Sequence, residues 1–151
     1  MIAPARELMP VIRAALERNQ RVRLTATGSS MFPFIRGGDV VELEPMHSLP
    51  VVGDLVLAQC ASVPGGERYV VHRVVRVKGE GFFLRGDAQP DCEGPFTRGD
   101  VLGRVTLIYR NGRAHRLDHG IWRHVGLAWN RCAPLNLWLF QLTRQLRRKR
   151  K

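Results

Sequence analysis

The sequence predicts a mainly β fold, a coiled antiparallel sheet of barrel-like form, with an N-terminal helix and a C-terminal helical tail. Three observations predict it. Short apolar runs with strand-like alternation recur through the middle of the chain, glycine-rich turns separate them, and no helices alternate with them as a parallel sheet would require. The 151 residues suffice for one core of moderate size. With 44% hydrophobic and 25% charged residues, the composition is that of a folded globular chain.

Taken in order, Leu8, Val11, Ile12, Ala15 and Leu16 recur at helical spacing with charged residues between them, so residues 1–20 read as an amphipathic helix. After Asn19 and Gln20 the period changes. Val22, Leu24 and Ala26 alternate with Arg21, Arg23 and Thr25, which is a half-buried strand running into Gly28-Ser29-Ser30. Further strands are expected at 39–43, 54–59, 69–77, 81–84 and 101–109. The last meets Asn111-Gly112, a favoured two-residue hairpin turn, and returns through 113–117. Residues 21–117 thus form the β domain, and 118–151 a separate hydrophobic-basic tail.

The tail holds all three tryptophans, Trp122, Trp129 and Trp138, among leucines, yet Arg123, Asn130, Arg131 and Gln141 interrupt it too often for a bilayer span of about 20 apolar residues. Two readings stand: a helix lying on an anionic membrane surface, or helices packed on the sheet with a solvated basic end. Charge bears on both. The chain carries +11, and six of those charges fall in the last eight residues, leaving about +5 for the rest. Because the excess is concentrated there, and no stacking aromatics interleave the basic residues of the strands, the pattern argues against nucleic acid as the partner. Cys60, Cys92 and Cys132 are odd in number and widely spaced, with no zinc-like pattern, so free thiols in a reducing compartment are expected. No apolar leader is visible in residues 1–20. The expected location is the cytoplasm, with peripheral attachment to the inner membrane where the tail engages lipid.

Chemistry enters with Ser30, at the end of a strand, and His72, set in the apolar run Val70-Val71-His72-Arg73-Val74-Val75. A serine hydroxyl is a poor nucleophile until a base takes its proton, and His72 is the histidine in a clearly strand-like run. Four Gly-Asp dipeptides punctuate the body. Gly38-Asp39, Gly53-Asp54 and Gly99-Asp100 lead into apolar runs, so their aspartates read as turn residues. Gly86-Asp87 instead opens a polar loop with a second carboxylate at Asp91. A carboxylate there is expected to accept the second N–H of the histidine, fixing its tautomer.

These residues resemble the type I signal peptidases, in particular their archaeal and endoplasmic-reticulum-like branch, with a more distant likeness to the LexA-type self-cleaving repressors. The likeness spans roughly 21–104. Ser30-Met31-Phe32-Pro33 is similar to the nucleophile box and Gly38-Asp39 to the turn that follows it. His72-Arg73-Val74-Val75 is similar to the box where this branch has histidine and the bacterial branch lysine, and Gly86-Asp87 with Asp91 to the acidic box. The resemblance implies a mostly β peptidase domain and a serine endopeptidase that cuts an extended peptide or preprotein. Ser30 would be the nucleophile, His72 the general base, and Asp87 or Asp91 the supporting acid. Met31 and Pro33 would contact substrate. No metal or other cofactor is implied.

The pattern also departs from that family. Membrane-bound members carry a transmembrane segment shortly before the serine, and the 29 residues preceding Ser30 hold none. A serine that lends its hydroxyl to the oxyanion hole in bacterial members is replaced by Gly28, so backbone N–H groups around Ser30 would form the hole, with Ser29 as an added donor. A LexA-type protein needs a DNA-binding region and a cleavable linker ahead of the peptidase, which residues 1–28 are too few to supply. Two other classes stay open: a catalytically silent module that binds an extended peptide on the same fold, and a basic nucleic-acid binder.

Overall fold

The protein is described by a computed structural model covering residues 5–63, 66–118 and 121–132. Helix α1 (Ala5–Glu17) forms on the expected periodicity, burying Met9, Ile12 and Leu16 and leaving Val11 exposed. Asn19, at φ 60°, ends it: Gln20 N–H reaches back to the Ala15 carbonyl and Asn19 N–H to that of Leu16. Asparagine tolerates that left-handed conformation better than most residues, and the two bonds satisfy carbonyls that the helix end leaves open.

Among the described residues eight strands follow: β1 (Val22–Thr25), β2 (Val40–Glu44), β3 (Leu55–Val63), β4 (Gly66–Lys78), β5 (Gly81–Arg85), β6 (Glu93–Phe96), β7 (Val101–Arg110) and β8 (Arg113–Arg116). They make one antiparallel sheet in the order β1-β2-β7-β3-β4-β5-β6, with β8 also on β7. Strand β7 is long enough to pair with β2 along one side, and on the other with β3 through 101–104 and then with β8 through 107–110. Asn111 and Gly112 both take positive φ, 52° and 74°, as a two-residue hairpin of this kind needs. The mainly β, antiparallel expectation is met. Its barrel-like form is not: β1 and β6, at the two ends of the order, each pair with a single neighbour, so the sheet stays open.

Strand β6 was not expected. Its sequence, Glu-Gly-Pro-Phe, is short and carries the two residues that strands disfavour most, but proline is tolerated on an edge, where its missing N–H faces no partner.

Alternation along the strands sorts the core into two clusters. Leu55 and Leu57 enter one with Leu43, Val105 and the buried face of α1, while Val56, Ala58 and Cys60 enter the other with Val74, Phe82 and Leu84. Each fully buried side chain of this size stabilises the fold by about 1.5–3 kcal/mol. Helix α2 (Ile121–Arg131) then packs back on the sheet through Gly126 and Trp129, with Trp122 and Val125 left exposed. Among the described residues no helix is long and apolar enough to cross a membrane. What was expected of 133–151 lies outside the described residues.

Candidate active site

Strand β1 delivers the chain to Ser30, and its ladder to β2 continues past the strand end: Ala26 N–H donates to the Asp39 carbonyl at 2.8 Å and Gly38 N–H to that of Ala26 at 3.0 Å. The loop between them is therefore closed at its base. Inside it, Phe32 N–H donates to Ser29 and Ile35 N–H to Met31, while the side chains of Met31 and Ile35 are buried in the core. Asp39 accepts the Arg36 N–H at 2.8 Å and pairs with Arg110, whose guanidinium also donates to the Phe34 carbonyl at 2.9 Å. Ser30 is half-buried at the turn of this loop. Its N–H and that of Met31 donate to no acceptor among the described residues.

Strand β4 supplies the partner. His72 pairs with Val56 of β3 in mid-sheet and is 2% exposed, and its Nε2 lies 3.3 Å from Ser30 Oγ. That is slightly longer than the roughly 2.6–3.2 Å of a working proton-transfer contact, as is common without substrate. Burial pushes the imidazole down to about 4, with the Glu93 charge opposing that fall and Arg68 adding to it. The ring is thus neutral at pH 7. For Nε2 to accept the serine O–H, the proton must sit on Nδ1, and Nδ1 has no hydrogen-bond partner among the described residues.

The expected supporting acid is consequently a correction. Neither Asp87 nor Asp91 accepts from His72. Asp87 is 3% exposed and takes both its carboxylate oxygens to Arg73, with Nε 2.8 Å from one and Nη2 2.7 Å from the other. Asp91 is exposed. The physical reason is the period of the strand: His72 and Arg73 are neighbours and point to opposite faces of β4, and the carboxylate of Asp87 lies on the arginine's side.

The Gly86-Asp87 loop reaches the serine by another route. Ala88 N–H donates to the Ser30 carbonyl at 2.8 Å, fixing the backbone of the serine. The approach is close enough that a Cβ on Gly86 would fall 2.6 Å from that same carbonyl oxygen and 2.6 Å from Gln89 Oε1, which only glycine avoids. The other three Gly-Asp aspartates are the turn residues they were expected to be. Each accepts the N–H three residues back: Arg36 to Asp39, Val51 to Asp54 and Thr97 to Asp100.

Of the remaining expected site residues, Ser29 is exposed beside Ser30 and Pro33 is half-buried. Met31, expected to contact substrate, is instead 4% exposed, and its side chain anchors the loop in the core. The three cysteines are free; Cys60 is buried, which pushes its thiol up to about 11 and leaves it a poor nucleophile.

Sequence reasoning missed Arg73, Phe34, Gly126 and Trp129. The Arg73 guanidinium also donates to the Gly53 carbonyl at 3.2 Å and lies 5.3 Å from the centre of the Phe34 ring. Trp129 meets Phe34 edge to face at 6.1 Å, and its indole N–H donates to the Asp87 carbonyl at 2.9 Å. An arginine in the middle of an apolar strand was the available signal, since a buried guanidinium demands a buried carboxylate. No family model matches the chain, and no curated protein or solved structure is significantly similar to it.

Proposed function

We propose that the chain is a serine endopeptidase, similar in its chemistry to the type I signal peptidases of the Ser-His branch, acting on extended peptide segments. The observation that carries this reading is the 3.3 Å approach of Ser30 Oγ to the Nε2 of a buried, neutral His72. Neutrality matters because only the unprotonated ring can act as a base.

In the forward step the Ser30 O–H proton passes to Nε2 as Oγ bonds to the substrate carbonyl carbon. The oxygen of that carbonyl gains negative charge, and the undonated N–H groups of Ser30 and Met31 are the donors at hand to meet it. The C–N bond then breaks, with the imidazolium returning its proton to the leaving amine. Water, deprotonated by the same ring, cleaves the acyl ester and restores the hydroxyl. The outer edge of β1, which ends five residues ahead of Ser30 and pairs with no further strand among the described residues, supports an extended substrate added as a further strand.

A second reading is supported by the bare Nδ1: without an orienting acid the site suits a module that binds an extended peptide without cutting it. Incubation with unfolded peptides carrying small-residue sites such as Ala-x-Ala separates the two. The peptidase reading expects cleavage that disappears in Ser30→Ala. Binding to such peptides with no cleavage by the wild type would replace it with the second reading.

A further inference from the structure

Helix α2 belongs, by sequence, to a tail remote from the catalytic boxes, yet it touches both of the loops that hold Ser30. On one side the Trp129 ring packs edge to face on Phe34, four residues beyond the nucleophile in the same loop. On the other, the Trp129 indole N–H donates to the carbonyl of Asp87, and the next residue, Ala88, donates its N–H to the Ser30 carbonyl. Gly126 closes the arrangement from above. A Cβ there would lie 2.4 Å from Arg73 Cζ and within 2.6 Å of both terminal nitrogens. That guanidinium cannot swing away at small cost, because Asp87 holds it with two bonds and the Gly53 carbonyl with a third.

We infer that Trp129 and Gly126 are positioning residues for Ser30: helix α2 is a clamp that ties the nucleophile loop to the Gly86-Asp87 loop and sets where the serine carbonyl and hydroxyl lie. The inference rests on the peptidase reading for its kinetic consequence but not for its structural one. Docking of α2 restrains Phe34 and Asp87 together, and the Ala88–Ser30 bond is the link through which that restraint reaches the nucleophile. Release of α2 leaves the His72 ring in its strand and frees the serine loop. Ser30 then drifts from Nε2, and displacements on the order of 1 Å from a productive geometry cost up to about 10²-fold in rate.

The test uses the full chain in four forms: wild type, Trp129→Ala, Gly126→Ala and Trp129→Phe. The last keeps an aromatic ring at that position and loses the N–H with the pyrrole half of the indole, so it remains informative if the first two fold poorly. Two quantities are read: amide exchange residue by residue, and the rate at which a fluorophosphonate labels Ser30. The clamp predicts exchange at Ala88 rising about 10-fold or more in Trp129→Ala and Gly126→Ala, without matching rises in mid-strand β3 and β4. It also predicts labelling slowed about 10- to 10²-fold, with Trp129→Phe between these variants and the wild type. Unchanged exchange at Ala88 in all three variants overturns the proposal, and so does a uniform rise across the sheet, which would mark α2 as general stabilisation. If the wild type is not labelled at all, the peptidase reading fails by itself, and exchange at Ala88 still decides the clamp.

Discussion

His72 and Arg73 are consecutive residues of one strand, equally buried at 2% and 1% exposure, and they are held in opposite ways. Arg73 makes two charge-assisted bonds to Asp87 and a third to the Gly53 carbonyl, beneath the Phe34 ring and against Gly126. Among the described residues the His72 ring makes one hydrogen-bond contact, at 3.3 Å to Ser30, and its other nitrogen has no partner. The difference teaches where the fold places its constraints. Buried polar groups are ordinarily fully paired, and the ones left incomplete tend to mark sites with work to do. The arginine holds the loops, and on the proposed peptidase reading the histidine is left to exchange a proton.

That contrast predicts that the two residues differ in whether chemistry or stability suffers first. The largest effect belongs to His72→Ala, which should slow fluorophosphonate labelling of Ser30 about 10²- to 10⁴-fold, as loss of a general base does, while the variant stays folded at 25 °C. Labelling at the wild-type rate would break the comparison from the histidine side. Asp87→Asn should do the reverse in kind. It leaves a buried guanidinium without its counter-charge, and denaturant unfolding should show a loss of about 3–5 kcal/mol. A loss below about 1 kcal/mol would mean that the pair is not what holds these loops.

A smaller effect sharpens the account of His72 itself. Its folded pKa, about 4, lies below the roughly 6.5 of an unfolded histidine, so the unfolded chain takes up the proton first as pH falls. The contribution is therefore fully present above about pH 6.5 and is lost as pH drops through about 4, amounting to at most about 3 kcal/mol. His72→Asn should show a shallower fall in stability than the wild type across that window. Parallel curves would mean that the ring is not buried in the neutral form.

Most of the sheet was legible because its strands are short apolar runs bounded by glycine-containing turns: 39–43, 81–84 and 101–109 lie close to the observed β2, β5 and β7. Strand β6 was not, since Glu-Gly-Pro-Phe offers no alternation and its pairing depends on Phe82 and Leu84 opposite. The encounter of Ser30 with His72 was readable as a motif pair. The partner of Asp87 was misread because order along the chain does not say which face of β4 a loop covers, and two neighbouring residues competed for one carboxylate. The docking of α2 left almost no trace in the sequence. Nothing along the chain singles out Gly126, and its meaning depends on the guanidinium that fills the space beside it.

Intact-mass analysis after treatment with a fluorophosphonate decides whether Ser30 is a nucleophile activated by His72. One adduct is expected on the wild-type chain, mapped to the peptide containing Ser30, absent in Ser30→Ala and strongly slowed in His72→Ala. A folded wild type that takes up no adduct, or an adduct that persists in Ser30→Ala, would contradict that role.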